Sequence, residues 1–310
     1  MKITFLGSGA WASALAYDLS VNGHRVTLYG VSDEEVDDIA LNHRNSRYFP
    51  DVVLPDTIHA TTDARKAIEG ADYLVLAVPS GAIHDVISLI RDYQDTTPLL
   101  INVIKGFDPK TGEGISRLIE RELGEGLVRG LVSLVGPSFA HDVIHEDLTA
   151  VCAVGKNESL AKEVQTLFSS RWFRVYVQTD VIGAEIGAGM KNIIAIASGI
   201  MEGLGYKDNT RAALITRGLA EITRFGLANG AKGETFLGLT GVGDLCLTAS
   251  SHRSRNYELG LAIGKIDDAL APLQESKKTV EGVVAAKTIH FAAERMGVNV
   301  PIVDAVYSVL

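Results

Sequence analysis

The chain has 310 residues, 46% of them hydrophobic and 22% charged, and carries a net charge of −9 at pH 7. That length accommodates two domains of ordinary size. The acidic balance excludes generic binding to nucleic acid or to an anionic membrane surface, and a small anion would need a local cluster of cations.

The elements alternate through the first half. "KITFLG" (2–7) reads as a strand and runs into a Gly-rich turn and a helix over 10–22. Strands follow at 25–30, 59–62, 73–78, 99–104, 132–136, 150–155 and 173–177, with helices at 33–43, 80–93, 113–123 and 159–169. Ser159 is expected to cap the last of these helices. Short continuous apolar runs suit strands covered on both faces, and their alternation with helices predicts an α/β fold with a doubly wound, Rossmann-like sheet. From about Val181 the strands stop and long Ala-, Gly-, Leu- and Ile-rich segments predict an all-helical C-terminal domain. The expected division is a dinucleotide-binding domain at 1–180 and a helical substrate and catalytic domain at 181–310.

The apolar run in "MKITFLGSG" is too short for a signal peptide, and the longer apolar stretches are broken by Gly and Lys, so no membrane insertion is expected. The final "IVDAVYSVL" is an apolar helical pattern without a cap, from which the natural chain is expected to continue beyond Leu310. Cys152 and Cys246 stand far apart and in no metal-ligand spacing. No metal is expected, and a reducing, cytoplasmic setting is.

"ITFLGSGAWASALA" places Gly7, Gly9 and Ala12 directly after a strand and at the start of a helix. This is the G-x-G-x-x-G/A arrangement: a tight turn at Gly7, close backbone approach to a pyrophosphate at Gly9, and helix–strand packing at Ala12. Glycine also serves any structural turn; here the strand before, the helix after and the second strand at 25–30 favour a dinucleotide. Trp11 reads either as a wall of the cofactor pocket or as a packing residue.

Cations and small residues mark a second region. Lys105 and the group Gly136, Ser138 and Ala140 follow the predicted strands 99–104 and 132–136, at the carboxyl edge where open α/β sheets bind ligands. On position alone Lys105 reads equally as an exposed loop lysine. "GVGDLCLTASSHRSRNYELG" looks loop-like and holds Asp244, Ser254, Arg255 and Asn256. Its "SRN" offers a guanidinium and an amide to a phosphate, although taken alone it reads more readily as a helix start with an N-cap Ser and an exposed Arg. Lys191 is the one cation in "GAEIGAGMKNIIAIASGIMEGLG". An ammonium among apolar residues must find a partner or shift its pKa.

Taken in order, "GSGAWASALA", "HRNSRYFPDVVLP", "KGF", "GPSFA", "GAGMKNIIAIASG", "NTRAALITRGLAEITR", "GVGDL" and "SRN" resemble NAD(P)-dependent glycerol-3-phosphate dehydrogenase of the soluble bacterial type. The resemblance covers essentially the whole chain. It implies reversible reduction of dihydroxyacetone phosphate to sn-glycerol 3-phosphate with NAD or NADP, feeding phospholipid synthesis. It also implies a small phosphorylated substrate and a homodimer. Carried over by motif, Lys191 is the catalytic lysine, joined by Lys105 and Asp244. Lys105, Gly136 and Ser138 line the substrate and nicotinamide region, and Asp244, Ser254, Arg255 and Asn256 complete the substrate site. The cofactor is expected near Gly7, Gly9, Ala10, Trp11, Ala12, Ser32, Tyr48, Lys105, Ala140, Arg255, Thr279 and Glu281.

Two departures stand out. Ala12–Ser13 replaces the Gly-Thr often found after the Trp, which the fingerprint tolerates. The turn after the second strand reads "YGVSD" and lacks the family's common Arg or His.

The chemistry explains the lysine. Hydride delivery to a ketone leaves an alkoxide that needs a proton, and an ammonium held there polarises the carbonyl and supplies one. Desolvation brings the lysine pKa towards the working range, with Asp244 as its expected partner. Gly187, Ala188 and Gly189 are expected to let the helix approach cofactor and substrate. The alternatives are a snorkelling surface lysine, a related dehydrogenase of hydroxy or sugar acids, and a dinucleotide-binding sensor without chemistry.

For cofactor choice, no carboxylate ends the second strand at Tyr29–Gly30, and His43, Arg44 and Arg47 lie a helix away in sequence. Use of both NADH and NADPH with at most a modest preference is therefore expected.

Overall fold

The β-branched runs of the first half form one eight-stranded sheet. In a computed structural model describing residues 1–124, 126–266, 269–275 and 280–310, the chain divides into two units. The first comprises Met1–Ile104, Ser116–Leu134 and Ser138–Thr179, and the second Lys105–Ile115, Val135–Pro137 and Asp180–Leu310.

In chain order the sheet unit carries β1 (Ile3–Leu6), α1 (Ala10–Val21), β2 (Val26–Tyr29), α2 (Asp33–Asn42), β3 (Ile58–Thr61), α3 (Ala64–Ile68), β4 (Tyr73–Leu76) and α4 (Ile83–Tyr93). These are followed by β5 (Leu99–Asn102), α5 (Ile115–Leu123), β6 (Gly130–Val135), α6 (Ala140–Ile144), β7 (Thr149–Val154), α7 (Glu158–Phe168) and β8 (Phe173–Gln178). The strand order is β3-β2-β1-β4-β5-β6-β7-β8. β3 through β6 run parallel, as do β7 and β8. Ile3 stands beside Val26 on one side and Tyr73 on the other, so the order reverses at β1, the switch point beside which doubly wound sheets bind ligands. β1, β4 and β5 are buried at every residue, as expected for strands covered on both faces.

Two local expectations change, and two short helices are added. Asn157, not Ser159, caps α7: its Oδ1 accepts from the Ser159 and Leu160 N–H groups, so the helix starts one residue earlier. The helix expected over 80–93 opens with a 3₁₀ turn at Ser80–Ala82. α3 and α6, with five residues each, are too short to show a helical period in sequence.

The second unit is built around α8 (Val181–Gly203). Asp180 starts it, accepting from the N–H groups of Gly183 (3.0 Å) and Lys232 (2.8 Å) and from Thr235 Oγ1 (2.6 Å). Every residue from Ile186 to Gly199 is buried, which is what a helix apolar all round requires. Among the described residues it alone is long and apolar enough to cross a membrane, but 83% of that window lies inside the protein. Around it stand α9 (Asp208–Ala228), α10 (Gly233–Phe236), α11 (Asp244–Ala249), α12 (Arg255–Ile266), α13 (Leu270–Glu275), α14 (Glu281–Met296) and α15 (Pro301–Val309).

α8 and α12 touch backbone to backbone. A Cβ on Gly199 would lie 2.0 Å from the Tyr257 carbonyl oxygen, and one on Gly260 2.0 Å from that of Ile196. Only glycine fits either position. The stretch read as loop-like is largely helical, with a π-helical turn at Leu239–Gly243, α11 and the start of α12; only 250–254 lie outside a helix. Gly241 serves packing: a Cβ there would meet the Phe236 backbone at 2.2 Å.

Candidate active site

In the first unit the Gly-rich turn joins β1 to α1. Gly7 has φ +131°, and a Cβ there would lie 2.3 Å from the Ala77 carbonyl oxygen. Both the backbone conformation and the neighbouring strand therefore require glycine. Gly9 is the N-cap of α1, and a Cβ on it would meet nothing within 4 Å among the described residues. Among the described residues no side chain caps the first turn of α1, and no acidic residue stands in that turn, so its N–H groups and helix dipole are available to an anion. Ala10 opens the helix and is partly buried, and Ala12 is fully buried beneath it. Trp11 packs against the sheet core, yet its Nε1 is buried without a hydrogen-bond partner among the described residues. An open Gly face, an uncapped helix start and an orphaned indole N–H together fit a dinucleotide pyrophosphate. Ser32 caps α2, its Oγ accepting from the Glu35 N–H at 3.3 Å. Tyr48 and Ala140 pack against the same core, and Ser138 lies in the irregular segment before α6.

In the second unit the structure brings Lys191, Asp244 and Lys105 together. The turn Leu239–Gly243 rests on α8 at Gly187, where a Cβ would lie 2.4 Å from the Thr240 carbonyl oxygen. Lys191 is one helical turn on, on the same face. Asp244, the residue after the turn, meets it: Lys191 Nζ to Asp244 Oδ1 is 2.5 Å. Lys191 is 4% exposed and Asp244 1%, so this is a buried ion pair. Asp244 Oδ2 has no hydrogen bond among the described residues. Lys105 Nζ stands 3.5 Å from it, close enough for attraction, and donates to the Gly136 carbonyl at 3.1 Å. Burial pushes the Lys191 pKa down to about 8; Asp244 opposes the shift and Lys105 adds to it.

The glycines around Lys191 correct one expectation. Gly187 makes room for Thr240, and Gly189 for the Phe107 ring, which a Cβ there would meet at 2.4 Å. These two glycines admit the protein's own segments.

The "SRN" triplet starts α12. Ser254 Oγ accepts from the Tyr257 N–H at 3.3 Å as a helix cap, and Asn256 Oδ1 accepts from the Gly282 N–H at 2.8 Å. The Arg255 side chain, half exposed, pairs with Glu281 at 2.8 Å. Glu281 opens α14, so Arg255, Asn256 and Glu281 form one polar patch. Thr279 lies outside the described residues.

One pair escaped sequence reading. Arg47, remote along the chain, folds back and donates to Glu35 Oε1 at 2.9 Å, while Glu35 Oε2 accepts from Ser8 Oγ at 2.9 Å. No local pattern signals a contact made by a returning loop.

Two family models match the chain: NAD-dependent glycerol-3-phosphate dehydrogenase N-terminus over residues 2–161 and C-terminus over residues 180–310. The chain belongs to the NAD-dependent glycerol-3-phosphate dehydrogenase family. Glycerol-3-phosphate dehydrogenase (NAD(P)+) of Listeria monocytogenes serotype 4a is 41% identical over 309 residues, covering 100% of this chain and 91% of that one. The crystal structure of glycerol-3-phosphate dehydrogenase from Coxiella burnetii is 35% identical and superposes with a TM-score of 0.92, covering 100% of this chain and 94% of that one. The Saccharomyces cerevisiae enzyme of the same name is 26% identical with a TM-score of 0.87 over 99% and 95% of the two chains. The glycerol-3-phosphate dehydrogenase family thus extends over both units.

Proposed function

We propose that this family member reversibly reduces dihydroxyacetone phosphate to sn-glycerol 3-phosphate, using NAD or NADP, with Lys191 as the proton donor and acceptor. The observation that carries the reading is the buried Lys191–Asp244 pair, with Lys105 3.5 Å from the second carboxylate oxygen.

Gly7, Gly9, Ala10, Trp11 and Ala12 would hold the dinucleotide, with Ser32, Tyr48, Ala140, Arg255, Thr279 and Glu281 contributing. When bound, the dinucleotide supplies or accepts the hydride at the substrate carbon. The Lys191 ammonium polarises the carbonyl oxygen and gives it a proton, leaving a neutral amine that regains its proton from water. In the reverse direction the amine takes the hydroxyl proton. Asp244 fixes the Lys191 side chain and favours its charged form, and Lys105 keeps the local field positive for a developing alkoxide. The helix start at Ser254–Asn256, with the Arg255 guanidinium, offers donors to the substrate phosphate, and Gly136 and Ser138 line the substrate region.

The same reading includes a cytoplasmic homodimer supplying glycerol 3-phosphate for phospholipid synthesis. Two free cysteines support a reducing compartment.

The test follows nicotinamide absorbance on mixing the purified protein with NADH. Dihydroxyacetone phosphate is expected to drive oxidation of NADH, and unphosphorylated dihydroxyacetone to be far poorer. Equal rates with both would overturn the phosphate site, and no oxidation with either would overturn the activity.

A further inference from the structure

The end of β2 is closed to side chains. A Cβ on Gly30 would lie 2.5 Å from Ser8 Oγ and 2.9 Å from Val36 Cγ2. A dehydrogenase of this fold that selects NAD usually keeps a carboxylate at this strand end for the ribose 2′-hydroxyl. Here the carboxylate arrives from the next element. Glu35, in the first turn of α2, reaches back to Ser8, between the two glycines of the turn. Its side chain is 12% exposed.

Arg47 approaches the same carboxylate from the opposite direction along the chain. Its backbone is fixed to the Gly-rich turn by its neighbours. Asn45, 1% exposed, donates its amide to the Ser8 carbonyl and to Ser13 Oγ, both at 2.8 Å, and the Ser46 N–H donates to Asp38 Oδ2 at 2.8 Å. The Arg47 side chain itself is 62% exposed, and its guanidinium carbon stands 5.5 Å from the Tyr48 ring centroid. A largely exposed ion pair is weak, so the guanidinium can exchange Glu35 for a phosphate at small cost.

We propose that Glu35 and Arg47 act as a pair that reads the 2′ position of the adenosine ribose. Glu35 accepts a hydrogen bond from the 2′-hydroxyl of NAD(H). Arg47 leaves Glu35 to bind the 2′-phosphate of NADP(H), offsetting the carboxylate's repulsion. Opposed charges of this kind keep the two cofactors nearly balanced, although the turn after β2 has no basic residue of its own. The inference rests on the reading of the Gly-rich turn as the dinucleotide site.

The test is calorimetric titration of NADH and NADPH into the whole chain. Glu35→Gln is expected to weaken NADH about tenfold, the scale of one charge-assisted hydrogen bond, while leaving NADPH unchanged or tighter. Arg47→Ala is expected to weaken NADPH by a similar factor with NADH little changed, and Arg47→Lys to recover part of the NADPH loss. Because the Arg47 side chain is mostly in water, that arm stands even if Glu35→Gln disturbs the fold. Equal shifts for both cofactors in Arg47→Ala would overturn the proposal. If the unsubstituted chain bound neither cofactor, the dinucleotide reading would fall as well.

Discussion

Lys191 Nζ lies 2.5 Å from Asp244 Oδ1, with 5% and 1% of the two side chains exposed. Burial disfavours the ammonium and brings its pKa down to about 8, against the pull of Asp244 and with the push of Lys105. Reduction needs the charged lysine and oxidation the neutral one. Ketone reduction is therefore expected to fall as pH rises through about 8, and alcohol oxidation to rise over the same range. Asp244→Asn removes the influence that favours the ammonium, so the reduction limb should move to lower pH. Lys105→Met removes a repelling charge and should move it to higher pH. Profiles of log kcat against pH check both signs; an unmoved limb in Asp244→Asn would contradict the coupling.

Arg255 pairs with Glu281 at 2.8 Å and is half exposed, so a phosphate can take the guanidinium over. Arg255→Ala is expected to raise KM for dihydroxyacetone phosphate by roughly 10–100-fold, the loss of one or two charge-assisted hydrogen bonds. Some cofactor affinity should go with it. Lysine should restore only part, because it lacks the planar fork. An unchanged KM in the alanine variant would remove Arg255 from the site.

Asp18 on α1 is fully buried; Ser170 Oγ donates to its carboxyl at 2.7 Å, and Trp172 also favours its charged form. Burial pushes its pKa from 3.8 to about 7. The folded state thus holds the proton more tightly than the unfolded chain. The stabilising contribution is full below about 3.8 and is lost as pH rises to about 7. The difference amounts to roughly 4 kcal/mol. Asp18→Asn should flatten the dependence of Tm on pH between 4 and 7, and parallel Tm curves for the two proteins would contradict it.

The sheet was legible because its signals are local. Continuous apolar runs mark strands covered on both faces, and the spacing of Gly7, Gly9 and Ala12 after β1 carries the turn's chemistry. Lys191 was legible because a lone cation in an apolar helix demands an explanation. Other features depend on what the chain meets at a distance. Gly187 and Gly189 suit a ligand or the protein's own Thr240 and Phe107 equally well, and only tertiary packing decides. Asn157 and Ser159 are both good caps, and the choice turns on where α7 begins. Glu35 and Arg47 are twelve residues apart and meet only because Asn45 folds their loop onto the turn.

Turnover of Lys191→Met with saturating dihydroxyacetone phosphate and NADH, measured beside its NADH affinity, tests the proton-transfer role most directly. Methionine keeps the bulk of the side chain and removes the proton. kcat is expected to fall by ~10²–10⁴-fold, the usual cost of one acid–base group, with NADH still bound. A kcat within a few-fold of the unsubstituted enzyme would contradict the account.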